Sequence, residues 1–162
     1  MGRRLSKPRF HLIVGLHDFF LMEYKELTHK IIGASMEVHK ALGNGFQELI
    51  YQRALAIELG LQGLAYSREH EMDIHYKGHH IGRRRVDFFV EDVIMVELKA
   101  VITLEDVHLA QAMNYVEAYG LDIGLLINFG SKSLQFKRVH NNRKTYKPEV
   151  QKNYQERKTG HD

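Results

Sequence analysis

Residues 86–100 read Val-Asp-Phe-Phe-Val-Glu-Asp-Val-Ile-Met-Val-Glu-Leu-Lys-Ala. Two apolar runs rich in β-branched and aromatic residues flank Glu91-Asp92. This pattern predicts strands over 81–90 and 93–100, joined by a tight turn. Three charges do not suit such buried strands: Asp87, Glu97 and Lys99. On a strand, positions 97 and 99 point to one face. A three-residue connection or a bulge at 91–93 puts Asp87 directly across from Glu97. Facing carboxylates on neighbouring strands repel each other. A divalent cation between them reverses the sign of that interaction, and hard oxygen ligands suit Mg²⁺ or Mn²⁺. Lys99 then stands where an attacking water or a scissile phosphate needs a positive partner. Glu-X-Lys alone is also what an exposed sheet face presents; the aspartate ten residues upstream, in apolar surroundings, argues for a site.

Upstream, apolar residues at Leu27, Ile31, Ile32, Met36 and Val38 recur at helical spacing over 23–42. Gly43-Asn44-Gly45 ends that helix with positions suited to positive φ. A second helix fits 47–61. Its first turn carries Glu48, which either favours the helix dipole, worth about 0.3–1 kcal/mol, or faces the site. Residues 72–76 alternate as a half-buried strand does, and 77–80 read as a turn. Downstream, helical spacing over 104–119 carries Gln111, Asn114 and Tyr115 on one stripe, which is either solvated or turned toward the cleft. Residues 123–129 are nearly all apolar, as in a strand buried on both faces, and 133–139 suit a last strand. The order ααβββαβ(β) makes an α/β fold, a mixed sheet flanked by helices, with the third helix as crossover.

The chain has 162 residues, 44% of them hydrophobic and 27% charged, which excludes wholesale disorder. It has no cysteine, so thiol catalysis, disulfides and cysteine-ligated metals are excluded, and the cytoplasm is the expected compartment. The net charge of +3 is uneven. Residues 1–22 carry four Lys/Arg and one acid, 23–136 carry eleven against sixteen acids, and 137–162 carry eight against three. The basic ends suit polyanion binding by counterion release, or serve as solvated tails. Residues 1–22 superficially imitate a signal peptide, but His11, His17 and Asp18 interrupt the apolar run. No stretch is apolar enough to span a membrane. The expected organisation is an N-terminal extension over 1–22, a domain over 23–140 and a basic polar tail over 141–162. The eleven histidines show no zinc-ligand spacing with a suitable third ligand, and read as surface residues. No glycine-rich phosphate loop occurs.

Several segments together resemble the GxxExxY proteins, whose motif reads here Gly45, Glu48 and Tyr51. Matching text stands at 37–43 (Glu-Val-His-Lys-Ala-Leu-Gly), 96–100 (Val-Glu-Leu-Lys-Ala), 111–115 (Gln-Ala-Met-Asn-Tyr) and 125–129 (Leu-Leu-Ile-Asn-Phe). That family is similar to a branch of the PD-(D/E)XK nuclease superfamily. The resemblance implies a restriction-endonuclease-like αβββαβ core and metal-dependent hydrolysis of phosphodiesters in DNA, RNA or branched DNA. By the same resemblance Asp87 and Glu97, with the Leu98 carbonyl, hold Mg²⁺ or Mn²⁺. Lys99 is catalytic, assisted by Glu48 and Gln111. Arg83, Arg84 and Arg85 would grip flanking phosphates, with Tyr115 beside them; the arginine run also suits an exposed strand end that discourages edge pairing. The implied partner is nucleic acid, with DNA foremost, and a homodimer follows by analogy with resolvases. The superfamily's proline is absent, since Arg85-Val86 precedes Asp87. A binding or assembly protein that keeps the nuclease fold without turnover is the alternative.

Overall fold

The structure, a computed structural model, describes residues 9–142, with side chains from residue 24. The expected tail beyond 142 and the side chains of the expected N-terminal extension lie outside the described residues. The elements are α1 (Arg9–Leu42), α2 (Glu48–Leu61), β1 (Tyr66–Tyr76), β2 (His79–Val90), β3 (Ile94–Lys99), α3 (Asp106–Ala118), β4 (Ile123–Asn128) and β5 (Gln135–His140). The sheet runs β1-β2-β3-β4-β5. Among the described strands only β3 and β4 are parallel, because α3 carries the chain back between them.

The two faces of the sheet hold separate cores. On one, Ile31 and Val38 of α1 and Tyr51, Leu55 and Leu59 of α2 pack with Phe88, Val96, Leu98 and Ile127. On the other, Ala112, Tyr115 and Val116 of α3 pack with Val86, Met95 and Leu126. Every residue of β4 is buried, as its continuous apolar run requires.

The expected register between β2 and β3 is present. Phe88 pairs with Val96 and Val90 with Ile94, so residues 91–93 form a three-residue connection. Glu91 and Asp92 both take positive φ (52° and 56°), and the Val93 N–H donates to the Val90 carbonyl at 3.1 Å. Other boundaries differ from the sequence reading. The helix expected from residue 23 begins at Arg9. β1 starts at Tyr66, six residues before the alternating stretch; it is the edge of the sheet, and an edge strand tolerates the polar run Ser67-Arg68-Glu69-His70. His79 and His80, expected in a turn, instead pair with Tyr76 and His75 inside β2. The turn is Lys77-Gly78 alone, both with positive φ (48° and 81°), as a two-residue type I′ hairpin demands.

The loop that follows Lys99 is fixed from β4. The buried Asn128 side chain accepts from the Val101 N–H (3.0 Å) and the Gly130 N–H (3.1 Å), and donates to the Val101 carbonyl (2.8 Å). Ser131 caps the same loop by donating to the Ile102 carbonyl. A Cβ on Gly130 would lie 2.4 Å from the Val101 nitrogen and 2.5 Å from the Ala100 carbonyl carbon, both main chain. Gly130→Ala is therefore expected to destabilise the protein by about 3 kcal/mol in urea unfolding. Gly60→Ala, where a Cβ meets nothing within 4 Å, should be neutral or stabilising by up to about 1 kcal/mol in the same measurement.

Candidate active site

The site begins where β2 leaves β3. Strict alternation would put Val86 and Phe88 on one face, yet Val86 packs in the α3 core and Phe88 in the α1–α2 core. The strand turns over at Asp87. Across the hairpin, Arg68 pairs with Phe88 and His70 with Val86, leaving Glu69 opposite Asp87 with a φ of +48°. The ladder with β3 ends at Phe88–Val96. One step further, the Asp87 carboxylate serves as acceptor: the Leu98 N–H donates to its Oδ2 at 2.7 Å. Its Oδ1 accepts from Gln52 Nε2 at 2.9 Å, and Gln52 Oε1 accepts in turn from Arg68 at 2.7 Å. Asp87 is thus held on both oxygens, one bond from β3 and one from α2.

Glu97 lies beside it, 5% exposed. Its Oε1 is 3.4 Å from Lys99 Nζ and 3.9 Å from Arg84, while its buried Oε2 has no hydrogen-bond partner. Burial, and then the Asp87 charge, push the Glu97 carboxyl up to about 7, with Lys99 and Arg84 opposing. Glu48, half-buried in the first turn of α2, is also raised: first by burial, then by Asp87, with Lys99 opposing. Glu48, Asp87, Glu97 and Lys99 therefore share one electrostatic environment. Glu48 occupies the dipole-favoured turn and faces the site at once, so its two sequence readings coexist.

On the α3 side, the Arg84 guanidinium lies 4.9 Å over the Tyr115 ring. Tyr115 is buried, and burial raises its pKa, with Glu97 raising it further and Arg84 and Gln111 opposing. Gln111 and Tyr115 thus reach the Glu97 neighbourhood, while Asn114 is exposed. The arginine run divides. Arg84 turns to the site, whereas Arg83 pairs with Asp73 (2.9 Å) and Glu71 (3.6 Å) and Arg85 with Glu71 (3.4 Å), all half-exposed or more. Leu98 contributes its N–H to Asp87. Not every histidine is a surface residue: half-buried His39 bonds the Ser131 carbonyl at 3.0 Å.

Two residues of the site were not foreseen. Gln52 had a signal, being polar on the buried face of α2 between Tyr51 and Leu55. Arg68 had none, because its place depends on the hairpin register. A cavity of about 330 Å³ lined by Tyr24, Lys25, Asp122, Ile123, Arg138 and His140 contains none of the site residues.

No group of three or more His, Asp or Glu side chains among the described residues is placed to hold a metal ion. Mg²⁺, however, is commonly bound through one or two carboxylates and water rather than an all-protein cage. Asp87 and Glu97 supply that pair, and Glu97 Oε2, buried and without a hydrogen-bond partner, is a hard oxygen donor suited to a cation. The residues fit a small divalent cation.

A family model described as the PD-(D/E)XK nuclease superfamily matches residues 25–139. The chain belongs to that superfamily. The fold agrees with the restriction-endonuclease-like architecture of PD-(D/E)XK proteins, whose nucleases typically use divalent metals. The crystal structure of SSO0001 is similar in part, at 15% identity and a TM-score of 0.47, covering 68% of this chain and 56% of that one. This chain therefore spans little more than half the length of SSO0001. No curated protein matches the chain. Among the described residues no helix is long and apolar enough to cross a membrane.

Two outcomes are expected of the site's electrostatics. The Glu97 pKa lies above its unfolded value of 4.5, so the folded state holds the extra proton between about pH 4.5 and 7. Its contribution is whole below pH 4.5 and is lost as pH rises through 7, amounting to about 3 kcal/mol. In EDTA, Glu97→Gln should raise Tm at pH 8 and leave it unchanged at pH 4.5, as differential scanning calorimetry would read. Gln52→Ala leaves Asp87 Oδ1 and Arg68 without their shared partner and should cost about 1–3 kcal/mol in urea unfolding.

Proposed function

We propose that this protein is a metal-dependent nuclease of DNA, in the GxxExxY branch of the superfamily, with residues 23–140 as its nuclease domain. One observation carries the reading. Two carboxylates, Asp87 and Glu97, are held close enough to repel, one of them buried with an unpartnered oxygen, and Lys99 stands within 3.4 Å. That arrangement weakens the fold at neutral pH, and its compensation is a cation.

Asp87 and Glu97 would hold Mg²⁺ or Mn²⁺, with the Leu98 carbonyl as a further ligand. When bound, such a cation supplies positive charge against the phosphodiester and acidifies water. The protein's own groups do the remainder. Asp87 is oriented by the Leu98 N–H and Gln52, so its donor oxygens need no reorganisation. Lys99 stabilises negative charge developing on the phosphoryl oxygens and orients the attacking water. Glu48, kept more basic than an ordinary carboxylate, positions that water and takes up its proton. Arg84, stacked over the Tyr115 ring, offers a second cation to a flanking phosphate. The basic ends, 1–22 and 141–162, would add phosphate contacts.

Incubation with duplex, single-stranded and branched DNA in Mg²⁺ or Mn²⁺ tests the reading. Cutting should require the metal, and Lys99→Ala should slow it by at least about 10²-fold. Mg²⁺ should also raise Tm at pH 8 in the native protein and not in Glu97→Gln. Salt-sensitive binding with no cutting in either metal would instead make the protein a non-hydrolytic nucleic-acid binder.

A further inference from the structure

β2 keeps its pairing with β3 for only three residues, Phe88 to Val90. Of its other nine residues seven pair with β1 and none with another described strand, and β1 is the sheet edge. Met72 and Val86 are the last hairpin residues buried in a core. From 73 to 83 every residue is exposed or half-exposed, including Tyr76 at 61% and Ile81 at 63%. This is a two-stranded antiparallel arm standing off the body, roughly 13–16 Å long at about 3.3 Å per residue. It is regular and tightly closed at Lys77-Gly78. One bulge interrupts it: Ile74 pairs with Gly82 and His75 with His80, leaving Ile81 as the extra residue.

The arm's charge sets it apart. Residues 71–85, the hairpin from its Glu71–Arg85 rung to its tip, hold Lys77, Arg83, Arg84 and Arg85 against Glu71 and Asp73, a net +2, while the rest of 23–136 holds seven Lys/Arg against fourteen Asp/Glu, a net −7. Lys77 sits at the tip beside Tyr76, with its Nζ 5.5 Å from the ring centre. His75, His79 and His80 are exposed along the flanks. The pairs that hold Arg83 are more than half exposed. Such pairs are worth about 0–1 kcal/mol, so a phosphate competes with them easily. At its base the arm carries Arg84, 3.9 Å from Glu97, so whatever the arm grips is delivered to the site.

We infer that the β1–β2 arm is a groove-reading ribbon for duplex DNA, an inference that rests on the nuclease reading above. A two-stranded ribbon, with strands about 4.8 Å apart, enters the B-form major groove, which is about 12 Å wide. The A-form major groove of double-stranded RNA is deep and narrow and does not admit it. The basic residues fall on phosphates flanking the groove, and Tyr76 and Ile81 reach into it. The arm thereby selects duplex DNA and sets the position of the scissile bond relative to the groove.

The test is fluorescence anisotropy of the full-length protein with labelled duplex DNA, single-stranded DNA and double-stranded RNA in EDTA over a range of salt. The arm variant is Lys77→Asn with Arg83→Gln. Asn-Gly is the favoured type I′ turn, so the hairpin is retained, and an unchanged Tm verifies this. Duplex DNA should bind tightest. The arm variant should weaken it about tenfold or more and reduce the slope of log affinity against log salt by about 2. Lys30→Ala with Lys40→Ala on α1 should bind as the native protein does. Unchanged affinity and slope in the arm variant, or equal affinity for the three nucleic acids, would overturn the inference. Parallel cleavage in Mg²⁺ separates the two ideas: if the native protein and the arm variant cut duplex equally fast at limiting DNA, only the arm proposal fails. If the native protein neither binds nor cuts nucleic acid, the nuclease reading fails and takes the arm with it.

Discussion

A single hydrogen bond, from the Leu98 N–H to the Asp87 carboxylate at 2.7 Å, organises the working end of this molecule. It stands where the next rung of the β2–β3 ladder would be. A main-chain donor paired with an ionised side chain contributes about 1.5–3 kcal/mol, more than the neutral rung it replaces. The exchange therefore ends the ladder without leaving a buried donor unpaired. Because the acceptor is a side chain, the β2 backbone is released from β3. The strands part at Asp87, Val86 crosses to the opposite core, and the first nine residues of β2 continue with β1 alone. The charge cluster and the arm have one cause.

The same parting concentrates charge. Glu97 emerges on the α3 side, nearly sealed from water, with Asp87 raising its pKa and Lys99 and Arg84 offsetting that rise only in part. A structure built for stability alone would replace such a cluster with apolar side chains. Here its members stand on rigid supports: α2 through Gln52 and Glu48, α3 through Tyr115 and Gln111, and β3 itself. A set of charges held this firmly is preorganised, and preorganisation is what electrostatic catalysis requires.

Much of this was legible in residues 86–100, for a physical reason. Charges inside an otherwise apolar strand must be explained by a partner, and the length of the 91–93 connection determines which partner. Hence the Asp87–Glu97 juxtaposition, the buried β4 and the mixed sheet could be read from local pattern. Features that depend on edges and registers could not. β1 shows no alternation before Met72 because both its faces meet solvent there, so its first six residues carry no strand pattern. His79 and His80 looked like turn residues because exposed hairpin arms impose no apolar period. Adjacent arginines in sequence go to different surroundings in space, and only the register with Glu71 and Asp73 separates Arg83 and Arg85 from Arg84.

The Gly45-Glu48-Tyr51 motif divides between chemistry and mechanics. Tyr51 is fully buried and stacked on Phe129, with ring centres 4.6 Å apart and an interplanar angle of 11°. Its hydroxyl donates to the Gly43 carbonyl at 2.7 Å and accepts from the Phe46 N–H at 3.1 Å, so it ties down the loop that launches α2. Across from that loop, Asn44 reaches the Gly130 carbonyl and His39 the Ser131 carbonyl, in the segment that Asn128 locks against the chain beyond Lys99. The loop leading into Glu48 and the loop following Lys99 are therefore clamped to the same end of β4. A displacement of one relative to the other would have to break the Tyr51–Phe129 stack or unpair Asn128, both deep in the interior. Glu48 lies in the field of the Asp87 and Lys99 charges, whereas Tyr51 holds the loop before it and fixes where Glu48 can be.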